Sequence, residues 1–222
     1  MLQVVVSVLV HSSRGPAANV AVTRAALASL RRAFEDHPGN QDDALHAGVA
    51  PLLVRLLSAG SDSALMVAVT EALKVMARNH PLNKAAILAS GGTQALLQLT
   101  SLNMETELAL VTGASWALNN LALGSPENVE AFLAAQGVPR MLRIIRSAPV
   151  ASEASVAASR ALFILASSED GEVAGALRAE GGMQPCTMLL TAGPAAESSL
   201  WACTLLGLLA DGHAEVQEEI AE

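Results

Sequence analysis

The frame Leu-x-x-Leu/Met-Ala returns along this 222-residue chain at a nearly constant interval. It stands at Leu73–Ala77, Leu118–Ala122, Leu162–Ala166 and Leu206–Ala210, with a weaker copy at Leu27–Leu30 that ends in Arg31. The leading leucines are 46, 45, 44 and 44 residues apart. A fixed period of this length marks a structure made by stacking one supersecondary unit. A second marker follows the leading leucine by 19 residues at Gly92, Gly137 and Gly181, and by 21 at Gly48. Glycine at these points is expected to break the chain between helices, because it tolerates positive φ.

Each period divides in the same way. An amphipathic segment such as ENVEAFLAAQ precedes the glycine, and a short apolar one such as GVPRMLRIIRSA follows it. The longest segment carries the leucine frame, with apolar residues at helical spacing: Met66, Val69, Leu73 and Met76 in one copy, Val111, Ala114, Leu118 and Leu121 in the next. Pro51 and Pro139 fall in the first turn of a helix, where the missing N–H costs no hydrogen bond. No segment alternates with the period of a strand. The expectation is an all-α chain with three helices per period.

These residues resemble the armadillo repeat family, with repeats like those of importin-alpha and beta-catenin. The resemblance rests on the three-helix period, the Gly-[VG]-x-x-x-L/M-[LV] start of the second helix and ENVEAFLAAQGVP ahead of it. A HEAT array, with two helices per unit, is the nearest alternative. The resemblance implies a right-handed α-solenoid covering residues 1–222 as a single array. Complete repeats are expected at 37–79, 80–123, 124–168 and 169–212, with partial repeats at 1–36 and 213–222. Both ends cut a repeat, and the apolar LQVVVSVLV would make a poor polar cap. A fragment of a longer array, or end-to-end self-association, is the expectation.

In the armadillo family the third helices line a concave groove, and the resemblance implies the same here. Successive helical residues advance by 100°, so positions −5, −2, +2 and +5 from a leading leucine face away from it. These positions are Val22, Ala25, Ser29 and Arg32; Ala68, Glu71, Val75 and Arg78; Gly113, Trp116, Asn120 and Leu123; Ala157, Arg160, Ile164 and Ser167; and Trp201, Thr204, Leu208 and Asp211. Glu71, Val75, Arg78, Trp116, Asn120, Arg160, Ile164 and Trp201 are the candidate peptide-binding residues. Trp116 and Asn120 share one face of SWALNNLA, and this pair resembles the family's Trp-x-x-x-Asn element. A carboxamide donates to and accepts from a peptide unit, whereas indole offers a broad packing surface. The alternative is a core tryptophan and an asparagine bridging within the array. Only one unit holds the pair. Arg32, Arg78 and Arg160 would favour an acidic segment over a basic one, with Glu71 and Asp211 in partial opposition.

Other chemistry finds little footing. No nucleophile elbow, dinucleotide fingerprint or phosphate loop is present, so neither an enzyme nor a cofactor is expected. His11, His37, His46, His80 and His213 are scattered and read as solvated or helix-end residues, with no metal site. Cys186 and Cys203, on neighbouring helices of one unit, read as two buried thiols and suit a reducing compartment. Arg140, Arg143 and Arg146 form a stripe, read either as a solvated convex edge or as a docking strip for an acidic partner. A net charge of −8 argues against nucleic acid. Mean hydropathy is high at +0.42, yet the apolar run Val4–Val10 is too short to span a membrane and no basic residue precedes it as in a signal. The acidic tail EVQEEIAE is expected to be solvated. The functional expectation is a non-enzymatic scaffold, cytoplasmic or nuclear, that grips an extended segment of a partner protein. A nuclear import adaptor of the importin-alpha type and a section of a longer architectural rod are the alternatives.

Overall fold

The computed structural model describes residues 2–12, 19–37, 39–60, 62–167 and 172–211. Every regular element among them is helical. The chain opens with α1 (Leu2–Ser12) and the long α2 (Val20–Asp36). Four triads follow, each of two short helices and a longer one. They are α3 (Gly39–His46), α4 (Val49–Ala59) and α5 (Ser63–Ala77); α6 (Pro81–Ala89), α7 (Gly92–Leu99) and α8 (Met104–Ala122); α9 (Pro126–Ala134), α10 (Gly137–Ser147) and α11 (Glu153–Ala166); and α12 (Glu172–Ala179), α13 (Met183–Leu189) and α14 (Glu197–Ala210). A single 3-10 turn, Leu190–Ala192, extends α13.

Local sequence explains the starts of these helices. Asn19, Asp62, Asn103 and Ser152 accept a backbone N–H of the first turn of α2, α5, α8 and α11. Each such cap stabilises its helix by about 1 kcal/mol. Pro81 and Pro126 open α6 and α9 at the position where proline costs no hydrogen bond.

The long helices α2, α5, α8, α11 and α14 pack in sequence, each against the next, and form one wall of the array. The second helices α4, α7, α10 and α13 pack on the backs of the long helices of their own triads. Leu27, Leu73, Leu118, Leu162 and Leu206 are all buried between these layers, as are Leu30, Met76, Leu121, Leu165 and Leu209 three residues on. The repeated frame is therefore the core, and the architecture is a right-handed armadillo-type α-solenoid.

Two of the four glycine markers, Gly48 and Gly181, carry the expected positive φ, and the other two act differently. Positive φ falls at Gly48, Gly91 and Gln136, the residue before α4, α7 and α10, and at Gly181, two residues before α13. Gly92 and Gly137 stand one place later, inside the helix, and are needed for space. A Cβ on Gly137 would lie 2.3 Å from Phe132 Cε1, and one on Gly92 would lie 2.4 Å from Ile87 Cγ2. Close approach of the first helix to the second, rather than backbone freedom, sets these two positions. The acidic tail and His213 lie outside the described residues.

Candidate peptide-binding face

Two of the four residue rows chosen from the helical angle are accessible along the wall. Arg32, Arg78, Leu123, Ser167 and Asp211 are all exposed. Ala25 and Thr204 are exposed too, and Glu71, Trp116 and Arg160 of the same row are half-buried. The other two rows are mixed. Asn120, Ile164 and Trp201 are half-buried, but Val75 is only 3% exposed and does not line the face. Gly113 and Ala157 are buried as well. A helix with one neighbour buries a single stripe, whereas α5, α8 and α11 have long helices on both sides. Their buried arc is wider than the angle arithmetic allows. Gly113 shows the closeness of this contact, since a Cβ there would meet Thr70 Oγ1 at 2.8 Å.

The tertiary structure joins Trp116, Arg160 and Trp201 across three long helices. The Arg160 guanidinium carbon on α11 lies 5.4 Å from the Trp116 ring centroid on α8 and 5.3 Å from that of Trp201 on α14. Each such stacking contributes about 0.5–2 kcal/mol, depending on desolvation. Both indole N–H groups donate to carboxylates: Trp116 Nε1 to Glu153 at 3.0 Å, and Trp201 Nε1 to Glu197 at 3.2 Å. Phe163 packs beside Trp201 with centroids 5.6 Å apart. Arg160 Nε is buried without a hydrogen-bond partner. Arg160 was expected to present a free charge, and stacking between two rings removes that freedom. Glu153 and Glu197 were not singled out in the sequence, because only folding brings them beside the tryptophans.

Asn120 is partly committed to the array. Its Nδ2 donates to the Lys74 carbonyl of α5 at 2.8 Å, a carbonyl near the helix end. Its Oδ1 has no partner among the described residues and is the half of the amide open to a ligand. The neighbouring Asn119 is wholly structural. It is buried, and its Nδ2 donates to Ser115 and Ala157 carbonyls at 3.1 and 2.8 Å. Charge is also partly neutralised, since Lys74 Nζ lies 2.6 Å from Glu71. Arg78 keeps an exposed guanidinium without a partner among the described residues. Toward the N-terminal ends of α2 and α5, the two helices frame a shallow cleft of about 470 Å³ lined by Ala25, Ala28, Ala68 and Arg24.

The arginine stripe is tied into the array, with Arg140 and Arg143 half-buried and Arg146 exposed. Arg140 and Arg143 donate to carbonyls at the end of α7, on Leu97, Thr100 and Leu102. Arg146 donates to Glu180 and Gly181 after α12. Each cation thus ties α10 to the carbonyl end of a helix in the preceding or following triad, where positive charge is favoured. The cysteines also differ from expectation. Cys186 is buried, and burial pushes its thiol up to about 12, whereas Cys203 is exposed. His80 caps α6 by accepting the Asn83 N–H at 3.1 Å, with its other ring nitrogen 3.0 Å from Asp42.

Comparisons with known proteins agree with this architecture. Vacuolar protein 8 of Candida albicans is 31% identical over 158 residues, which is 71% of this chain and 26% of that protein. Importin subunit alpha-1b of Oryza sativa subsp. japonica is 36% identical over 83 residues, 37% of this chain and 15% of that protein. A designed armadillo repeat protein, solved in complex with the peptide (KR)4, superposes with a TM-score of 0.82 at 19% identity, over 96% of this chain and 85% of its own. This chain is an armadillo repeat protein. The armadillo chain spans about a quarter or less of the two curated relatives. No family model matches it. Among the described residues no helix is long and apolar enough to cross a membrane.

Proposed function

We propose that this armadillo array is a non-enzymatic protein-interaction scaffold whose long-helix wall forms a concave groove for an extended segment of a partner protein, in the cytoplasm or the nucleus. The observation that supports it most is the pairing of half-buried Trp116 with Asn120, whose Oδ1 has no partner among the described residues. An apolar plate and a free acceptor on one helical face suit a strand that offers side chains and N–H groups in alternation. With repeats taken as 37–79, 80–123, 124–168 and 169–212, five long helices about 10 Å apart span roughly 40 Å. A segment rising ~3.3 Å per residue would fill that with about a dozen residues.

The exposed basic groups Arg24, Arg32 and Arg78 lie toward the N-terminal half, so acidic or phosphorylated residues of the partner are assigned to that end. The import-adaptor reading draws on the rice relative and on the designed protein's (KR)4 ligand. It would be favoured by tighter binding of a lysine-rich peptide than of an acidic one. A rod section is the architectural alternative. Exposed Val4 and Val8 on α1 are the proposed patch for end-to-end association.

The test is capture of a partner from cell extract, followed by affinity measurements with Trp116→Ala, Asn120→Ala and Arg78→Glu. Arg55→Glu on α4 is the control away from this face. Loss of Trp116 or Asn120 should weaken binding about tenfold to a hundredfold, equivalent to ~1–3 kcal/mol. Parent-like affinity in all three, with binding lost in the control, would overturn the groove reading.

A further inference from the structure

We propose that a cleft at the edge of the array is a docking site for an amphipathic helix of a partner protein, apolar on one face and flanked by basic residues. Three elements frame it: the carboxyl ends of α8 and α11, together with α9. The cleft measures about 970 Å³ and is lined by Leu123, Leu133, Phe163 and Ile164, with Glu127 and Glu130 on its α9 side. Trp116 and Asn120 do not line it, so its occupancy goes beyond the groove reading and does not depend on it.

The lining is apolar without being closed. Leu133, Phe163 and Ile164 are half-buried, and Leu123 is 45% exposed. The positions that match Leu123 on the other long helices are Arg32, Arg78, Ser167 and Asp211, all polar. Only here does that position add an exposed leucine, and it does so beside three more apolar side chains. Covering such surface is the main favourable term in association. The volume lies at the upper end of the ~300–1,000 Å³ found for ligand sites, more than one side chain fills. A helix offers the space two or three side chains from successive turns, at i, i+3 and i+4. An extended strand would turn every second residue away.

Charge selects the flanks of that helix. Glu127 and Glu130 lie one turn apart on α9, both exposed, and neither pairs with a cation among the described residues. The matching positions of the preceding repeat, on α6, are Leu82 and Ala85, so the carboxylate pair is not a general feature of the repeat. Lys84 reaches the Leu123 carbonyl, but it is buried and does not line the cleft. The carbonyl end of α11 adds partial negative charge. An acidic segment would be repelled there, whereas a lysine or arginine beside the apolar contacts would meet two exposed carboxylates.

The probe is an alanine-based helical peptide of about fifteen residues, with phenylalanine and leucine at i and i+4 and lysines on either side. Methyl NMR of the parent protein should show saturable shifts at Leu123, Leu133 and Ile164 as the peptide is added. A matched peptide with glutamate in place of lysine should bind about fivefold or more weakly at low salt. Glu127→Lys combined with Glu130→Lys should reverse that preference, and both positions are exposed. Leu123→Asp should weaken the lysine peptide by about tenfold or more. No saturable methyl shift, equal affinity for the glutamate peptide, an unreversed preference in the double variant, or parent-like binding in Leu123→Asp would each overturn the proposal. So would saturable binding of decylammonium with none of the lysine peptide, because the cleft would then hold a small amphiphile rather than a helix. Shifts confined to Trp116 and Trp201 would put the peptide in the groove and overturn it as well. The probe makes no use of the groove's own partner, so failure here with intact Trp116-dependent partner capture rejects the cleft alone.

Discussion

The side-chain amide of Asn119 on α8 donates to the backbone carbonyl of Ala157 on α11, 2.8 Å away in a site closed to solvent. It also holds the Ser115 carbonyl a turn back on its own helix. This bond crosses between neighbouring repeats from a variable position of the leucine frame, not from one of its leucines or its alanine. Asn119→Ala should destabilise the fold by about 1–3 kcal/mol, since it removes the donor and leaves a small void. Urea unfolding of parent and variant would measure it, and an unchanged midpoint would show the bond to be dispensable.

Gly137 and Gln136 should respond in opposite directions. A methyl group on Gly137 would collide with the buried Phe132 ring, so Gly137→Ala should cost about 1–3 kcal/mol. Gln136 carries a φ of 56°, which glycine adopts without strain. Gln136→Gly should therefore be neutral or stabilising, by up to about 1 kcal/mol, with part of the gain offset by unfolded-chain entropy. Thermal melts of the two variants would decide this, and the same sign for both would refute the division of roles.

The two thiols should separate cleanly. In the native protein Cys203 is exposed and should react rapidly with a thiol reagent, while Cys186 should react only on unfolding. Cys203→Ser should abolish the fast phase. Because burial raises the Cys186 thiol from 9.0 to about 12, the unfolded chain loses this proton first as pH rises. The stability linked to it is fully present below pH 9 and lost between about 9 and 12, by at most about 4 kcal/mol. Cys186→Ala should remove that part of the alkaline dependence.

Lys84 should act with the opposite sign over an overlapping range. It is buried, donates to the Leu123 carbonyl, and burial lowers its pKa below the usual 10.5. The folded state then releases the proton before the unfolded state does. Its penalty is fully present at neutral pH and is relieved as pH rises toward 10.5. Denaturation curves of Lys84→Met should lose this alkaline gain. A pH profile identical to the parent's would show that Lys84 stays charged at no cost.

Arg143→Ala should lower stability by about 1–2 kcal/mol through the freed Thr100 and Leu102 carbonyls, while leaving ligand affinity unchanged. Unfolding and binding measured on the same sample would test both halves. Loss of affinity without loss of stability would restore the docking-strip reading.

The period, the helix order and the identity of the core were set by the sequence itself. Leucines at Leu73, Leu118, Leu162 and Leu206 lie on one helical stripe, and burying such a stripe needs no information from outside the helix. The tertiary structure decided everything that depends on what flanks a helix. Val75 is buried although its own helical angle points it outward, because neighbours on both sides close over α5. Arg160 is stacked because Trp116 and Trp201, 85 residues apart in sequence, reach it from opposite sides. The three arginines of α10 find carbonyls on other repeats, and Asn119 rather than Asn120 carries the buried cross-link. A helical period specifies which residues face inward along one axis. Contacts between repeats arise from the spacing and rotation of successive axes, which depend on side-chain volumes such as the missing Cβ at Gly113 and are written in no single segment.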